Sequence, residues 1–192
     1  LTVEQRMVKR LFDICFSLVI MGAFSWLYLL IALYIKITDG GPVLIWQECL
    51  TRNGKHFRQY KFRTTPVGNT EINPTQGIRG GDFLMASHLD ELPQFLNVFR
   101  GEMSVVGPYP ERVYMAEKYE KNHPEFAYRL SVKAGLTGYA KVHGKYSSSK
   151  KNQLKMDFYY IQNYSFALDL SIMAATLKVL LEPHRQSRKK EP

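Results

Sequence analysis

The stretch Ser87-His88-Leu89-Asp90-Glu91-Leu92-Pro93 sets two carboxylates side by side at the start of an apolar helical pattern. Leu92, Phe95, Leu96 and Phe99 recur at i, i+3, i+4 and i+7, which predicts a helix from about Glu91 to Arg100-Gly101. Asp90 then falls at the N-cap, and Pro93 in the first turn, where its missing N–H costs little. A carboxylate there meets free backbone N–H groups and the positive end of the helix dipole, which favour its ionised form. The same place receives a phosphate well. Glu91 adds a second oxygen donor, and two neighbouring carboxylates are what Mg²⁺ carrying a diphosphate requires. Spacing alone describes a plain helix cap equally well. What surrounds the pair decides between the two.

Several elements have to position it. Residues 43–47 and 57–63 read as short strands, with Asn53-Gly54 as the hairpin turn between them. Asp39-Gly40-Gly41-Pro42 is a turn signal ahead of them, and residues 64–81, rich in Gly, Pro, Asn and Thr, read as a long loop. Helices are predicted at 111–121, 150–163 and 169–181. The last is strongly apolar but too short to span a bilayer comfortably, and suits a core or interfacial helix. Arg185, Arg188, Lys189 and Lys190 form a basic tail that reads either as an anionic-lipid contact or as a solvated end.

The 192 residues suffice for one domain with a real core. Residues 11–35 carry a single charge, Asp13, and as one helix would extend ~38 Å, enough to cross a bilayer. No small-residue cleavage site follows, so the run is expected to be a membrane anchor rather than a signal peptide. Lys9, Arg10 and Lys36 put positive charge on both flanks. The run reads either as a straight span or as a helix that bends near Gly22 and Ser25 and leaves on the side it entered. Trp26 and Tyr28, in its middle, need polar partners in either case. A net charge of +9 and pI near 9.5 suit an anionic membrane surface and phosphorylated substrates. No helix-turn-helix, zinc or RNA-binding motif accompanies the charge, so nucleic acid is not expected. Cys15 and Cys49 have neither disulfide nor zinc-ligand spacing, which suits a reducing, cytoplasmic face.

The run Asp90-Glu-Leu-Pro-Gln-Phe-Leu-Asn-Val-Phe-Arg-Gly-Glu-Met-Ser-Val-Val-Gly-Pro resembles the core motif of the bacterial sugar transferases, the monotopic polyprenol-phosphate phosphoglycosyl transferases. Similar matches cover nearly the whole chain: Lys9-Arg-Leu-Phe-Asp13, Gly41-Pro-Val with Gln47-Glu48, Tyr60-Lys-Phe-Arg-Thr64, Val132 to Ala140, Gly144-Lys-Tyr146, and Leu154 to Tyr160. The resemblance implies an α+β, mostly helical membrane-associated domain with an N-terminal re-entrant membrane helix (1–38), a catalytic domain (39–182) containing a small β-hairpin and interfacial amphipathic helices, and the basic tail (183–192). It implies residence at the cytoplasmic face of the bacterial inner membrane, with the lipid bilayer, a UDP-sugar and a polyprenol phosphate as partners, and a homodimer or paralogue pair as a further possibility. The implied reaction has two steps. Asp90 attacks the β-phosphate of the UDP-sugar, releasing UMP and leaving an aspartyl-phosphosugar; polyprenol phosphate then takes the phosphosugar, initiating cell-surface glycan or exopolysaccharide synthesis. Glu91 carries over as metal-binding or proton-handling partner, Mg²⁺ as cofactor held by Asp90 and Glu91. Lys61, Arg63, Arg79, Arg112 and Asp157 carry over as substrate contacts.

Four positions depart from the family pattern. Trp26 stands where the family breaks its membrane helix with proline, Met85 and Tyr109 replace two arginines, and Lys141 replaces a glutamine. Bidentate guanidinium–phosphate contacts are hard to replace, so His88, Lys141 and Arg112 are expected to supply charge instead, and the Tyr109 ring either to stack on the uridine or to pack beneath its loop. The alternative is a non-catalytic relative that binds substrate or pairs with an active paralogue.

Overall fold

A computed structural model describes residues 2–65, 77–144 and 149–181. The basic tail and most of the long loop lie outside them. The chain opens with α1 (Val3–Ala23) and α2 (Ser25–Asp39), which meet at Phe24 with a bend of 60°. Thr2 and Gln5 form a reciprocal capping box at the start of α1. The bend falls between Gly22 and Ser25, so no proline is needed to interrupt the apolar run. No single helix among the described residues is long and apolar enough to cross a membrane, although α1 and α2 together have the required length and composition.

α1 is inverted relative to a helix bathed in water. Lys9, Asp13 and Ser17 form the buried stripe of α1, at i, i+4 and i+8, while Met7, Leu11 and Val19 are outside. The stripe is satisfied internally. Lys9 Nζ lies 2.5 Å from Asp169 Oδ2, whose other oxygen accepts from Tyr160 Oη at 2.8 Å. Asp13 accepts from Ser104 Oγ at 3.1 Å and the Val105 N–H at 2.9 Å.

Beyond α2, strands β1 (Leu44–Leu50) and β2 (His56–Phe62) pair antiparallel from Leu44–Phe62 to Leu50–His56. Their turn is the expected one: Asn53 and Gly54 both have positive φ, +61° and +68°. A short helix α3 (Gly81–Ala86) leads into the carboxylate turn, and α4 (Gln94–Arg100) follows it. The continuous helix expected from Glu91 is not there. Residues Leu89–Glu91 make a 3₁₀ turn instead, with His88, not Asp90, in the N-cap place at φ +56°. A cap at Asp90 would bond the N–H of Leu92 or of residue 93; the first goes to the Leu89 carbonyl at 3.3 Å, and Pro93 has none.

The expected core face of α4 is corrected too. Its buried residues are Gln94, Asn97 and Val98, whereas Phe99 is exposed. Asn97 ties α4 to β2, donating to Arg58 O at 2.7 Å and accepting from the Tyr60 N–H at 3.1 Å. Periodicity reads an apolar stripe as pointing inward; here the protein interior holds amides and the stripe looks toward α1, Phe95 meeting the Phe16 ring at 6.2 Å.

Two three-residue strands were not foreseen. β3 (Ser104–Val106) and β4 (Gly135–Thr137) pair in parallel. Their closeness requires glycine: a Cβ on Gly135 would stand 2.1 Å from Gly107 N, and one on Gly138 2.2 Å from Gly107 O. The remaining elements are α5 (Val113–Asn122), a 3₁₀ segment Pro124–Ser131, α6 (Tyr139–His143), α7 (Lys150–Gln162) and α8 (Phe166–Leu181). α7 and α8 fall where apolar spacing put them.

Candidate active site

Four elements converge on the carboxylate turn. β2 brings Lys61, the segment after β3 brings Tyr109, α6 brings Lys141, and the turn itself holds His88, Asp90 and Glu91. Lys61 Nζ lies 3.9 Å from Asp90 Oδ2 and 3.5 Å from Glu91 Oε1. Lys141 Nζ reaches Glu91 Oε2 at 3.1 Å and the Leu136 carbonyl at 3.2 Å. His88 Nδ1 is 3.7 Å from the same Glu91 oxygen. The Tyr109 ring stands 5.9 Å from Lys141 Nζ. His88 holds a left-handed backbone conformation, which costs a non-glycine residue of order 1–3 kcal/mol.

The electrostatics of the two neighbours diverge. Burial pushes the Asp90 carboxyl up to about 6; Lys61 opposes the rise and Glu91 adds to it. Burial acts on Glu91 in the same sense, but the His88 hydrogen bond and the charges of Lys141 and Lys61 outweigh it and hold that carboxyl well below the usual range. Lys61 is disfavoured as a cation by burial, yet Tyr109, Glu91 and Asp90 around it leave its pKa above the ordinary lysine value. Glu91 is therefore a fixed anion set between Lys61 and Lys141. Asp90 is ionised at neutral pH and more basic than an ordinary carboxylate, a combination suited to a nucleophile.

A mainly apolar cavity of about 370 Å³ opens beside the turn. Glu91, His88 and Lys141 line its polar end; Phe16, Phe24 and Leu27 at the α1–α2 bend and Leu177 of α8 line the rest. Tyr28 of α2 donates to the Leu92 carbonyl at 2.7 Å, so the helix bend and the carboxylate turn are joined directly.

The other sequence-predicted residues lie apart from this cluster. Arg63 is buried; its guanidinium pairs with Asp39 and donates to Pro42 O at 2.6 Å, closing the base of the hairpin rather than standing exposed on a strand face. Arg112 Nε donates to Gln47 Oε1 at 2.9 Å, so it supplies no charge to the dyad through a direct contact. Arg79 is exposed, and its carbonyl accepts from Tyr34 Oη at 2.8 Å. Asp157 is not on a helix surface: it is sealed against Arg129, Nε to Oδ2 2.8 Å. Met85, on α3, is exposed.

Arg129 itself escaped the sequence reading. It donates to the Tyr109 carbonyl at 2.8 Å and thereby links Asp157 to the segment that carries Tyr109. Gln59 and Gln94, hydrogen-bonded at 3.0 Å beneath the site, escaped it as well. An Arg and an Asp 28 positions apart leave no local signal, and a glutamine at an expected core position reads as an error in the pattern.

Among the described residues no group of three or more His, Cys, Asp or Glu is arranged to hold a metal. The protein thus offers Mg²⁺ two adjacent carboxylates, Asp90 and Glu91. That donor set fits an ion that takes one or two carboxylates and completes its shell with waters and substrate phosphate.

The profile of the bacterial sugar transferases matches residues 4–183. Similar proteins include a UDP-N-acetylgalactosamine-undecaprenyl-phosphate N-acetylgalactosaminephosphotransferase of Aeromonas hydrophila, 35% identical over 185 residues, 91% of this chain and 44% of the relative. A UDP-glucose:undecaprenyl-phosphate glucose-1-phosphate transferase of Caulobacter vibrioides is 35% identical over 185 residues, 90% of this chain and 69% of that protein. The uncharacterised sugar transferase EpsL of Bacillus subtilis is 32% identical over 179 residues, covering 91% and 87%. The chain thus spans less than half of the Aeromonas protein.

Proposed function

Because this chain belongs to the bacterial sugar transferase family, we propose that it moves a sugar 1-phosphate from a UDP-sugar to a polyprenol phosphate at the cytoplasmic face of the inner membrane. The names of the Aeromonas and Caulobacter relatives support this class of donor and acceptor. The observation that carries the reading is the meeting of Lys61, Lys141 and His88 on two adjacent carboxylates, Asp90 and Glu91, at the polar end of the apolar cavity.

In the first step a carboxylate oxygen of Asp90 attacks the β-phosphorus of the donor. The bond from that phosphorus to the bridging oxygen breaks, UMP leaves with the oxygen, and an aspartyl-phosphosugar remains. In the second step a phosphate oxygen of the acceptor attacks the same phosphorus. The acyl-phosphate bond breaks, Asp90 regains its carboxylate and the product is a polyprenol diphosphate sugar. Lys61, facing both carboxylates, and Lys141 lie where they can offset charge on the phosphoryl oxygens. They supply the cationic role that arginines at 85 and 109 would otherwise take. Glu91 holds the two ammonium groups in place. Mg²⁺, bound through Asp90 and Glu91, would add charge neutralisation on the diphosphate.

The apolar cavity at the α1–α2 bend suits the prenyl chain of the acceptor, with its phosphate at the Lys141 end. The 60° bend and the apolar exterior of α1 and α2 support a re-entrant helix whose two ends share one side of the bilayer. The test is incubation of the purified chain with polyprenol phosphate and a panel of UDP-sugars. UMP release matched by lipid-linked sugar diphosphate is expected with at least one donor; silence with the whole panel would contradict the proposal.

A further inference from the structure

A second cavity, of about 530 Å³, lies at the start of α1 and shares no lining residue with the one beside the dyad. Its cations come from three parts of the chain: Arg6, Lys9 and Arg10 on α1, Arg52 in the hairpin turn, and Lys133 ahead of β4. Lys9 is taken by Asp169; among the described residues none of the other four is ion-paired with a carboxylate, although eleven such pairs occur. Arg10 is anchored by two backbone carbonyls at the end of α4, Val98 O and Phe99 O, each at 2.7 Å, so its charge is positioned but not cancelled. Lys133 Nζ and the Arg10 guanidinium flank Gly101 so closely that a Cβ there would stand 3.4 Å from one and 3.1 Å from the other. Asp13 also borders the cavity, but its carboxylate is buried and taken by Ser104 and Val105. Like charges gathered this way repel, and Lys133 shows it: burial first, then Arg10, Arg52 and Lys9, pull its pKa below the ordinary lysine value, with Asp13 only partly opposing.

Beside Ser104, the rest of the wall outside these charged groups is apolar. Val3, Met7 and Leu11 line the cavity, and each is about two-thirds exposed. Uncompensated cations would suit any phosphate. Cations set in a wall of exposed aliphatic side chains suit a phosphate that carries hydrocarbon. We propose that this cavity binds the headgroup of an anionic phospholipid, with the phosphate between Arg52, Lys133 and Arg10 and an acyl chain along Met7 and Leu11. The site is separate from the dyad and does not depend on the transfer reaction. Its role is to seat the root of the bent helix pair at a fixed depth in the bilayer surface.

Native mass spectrometry of the detergent-purified chain tests this. The protein is titrated with dioctanoyl phosphatidylglycerol, with the matching phosphatidylcholine, and with inorganic phosphate as a competitor. A saturable one-to-one phosphatidylglycerol adduct is expected at concentrations where phosphatidylcholine gives none. Each cation near such a surface contributes about 1 kcal/mol, so Arg52→Gln with Lys133→Gln should weaken the adduct roughly thirtyfold. Lys150→Gln, on the far Glu111 pair, should leave it unchanged. Met7→Gln, on the exposed rim, should weaken the lipid adduct while leaving any competition by inorganic phosphate as it was; this variant keeps the test open if the double substitution does not fold. Equal binding of phosphatidylcholine, an undiminished adduct in the double variant, or full displacement by millimolar inorganic phosphate would overturn the proposal.

Discussion

Asp90 and Asp157 are both buried carboxyls that burial lifts to about 6, and both have a cation beside them, yet they occupy opposite kinds of place. Asp157 is closed in: 1% exposed, 2.8 Å from Arg129, whose guanidinium also lies 3.6 Å from Glu111 and holds the Tyr109 carbonyl. That cluster joins α7 to the 3₁₀ segment 124–131 and to the loop bearing Tyr109. Asp90 is 7% exposed, its nearest cation is at 3.9 Å, and its neighbour Glu91 takes the close lysine contacts. The difference teaches that a raised pKa does not by itself mark a reacting group. Asp90 stands beside the cavity-lining Glu91, with Lys61 facing both carboxylates; Asp157 is shut away against Arg129.

Substituting each aspartate by asparagine breaks the comparison most directly. Asp90→Asn should lower UMP release by on the order of 10⁴-fold, the scale on which enzymes respond to loss of a nucleophile. Asp157→Asn should keep the rate per folded molecule within about tenfold. Comparable losses in both would place Asp157 in the chemistry. Next in size is the cost of the closed cluster to the fold. Arg129→Met leaves Asp157 without its partner, and chemical denaturation should register a loss of about 3–5 kcal/mol, as for other broken buried pairs. Removal of Lys61 should matter to rate more than to fold. Lys61→Met takes away a charge-assisted contact of roughly 1.5–3 kcal/mol, which predicts a steady-state rate at neutral pH lower by about tenfold to a hundredfold. A full rate in that variant would remove Lys61 from the site.

The smallest effect is in the pH profile, and it sharpens the comparison. In the proposed first step the attacking form of Asp90 is the carboxylate, so that rate should level off above about pH 6 and fall about tenfold per unit below it. Lys61 opposes the rise of the Asp90 pKa, so Lys61→Met should move that limb upward, by about a unit. Asp157→Asn should leave the limb where it is, although Asp157 titrates in the same range. A limb that disappears in Asp157→Asn would assign it to the wrong aspartate.

The sequence made some of this plain and hid the rest, for physical reasons. Asn53-Gly54 announces a turn because few residues accept positive φ, and both have it here. Gly22 and Ser25 bracket the actual bend because a helix breaks where its side chains support it least. The Asp90–Glu91 pair was legible as a place, but not the 3₁₀ turn that shapes it, which depends on His88 taking a conformation unusual for its type. The stripe of α4 misled because periodicity identifies two faces, and only the surroundings decide which is inside. α1 turns Met7 and Leu11 outward and Lys9 and Asp13 inward, an arrangement that no expected core face described. The Arg129–Asp157 pair and the β3–β4 contact depend on residues distant in the chain, and no local pattern reports them.

The central claim is that Asp90 carries the phosphosugar between donor and acceptor. The most direct test gives the protein a UDP-sugar that it uses, withholds the polyprenol phosphate, and maps the quenched chain by intact and peptide mass spectrometry. The account predicts an added mass of one sugar phosphate, in a peptide containing Asp90, absent from Asp90→Asn and lost when acceptor is added. UMP release with no adduct on the protein, or an adduct on any other residue, would contradict it.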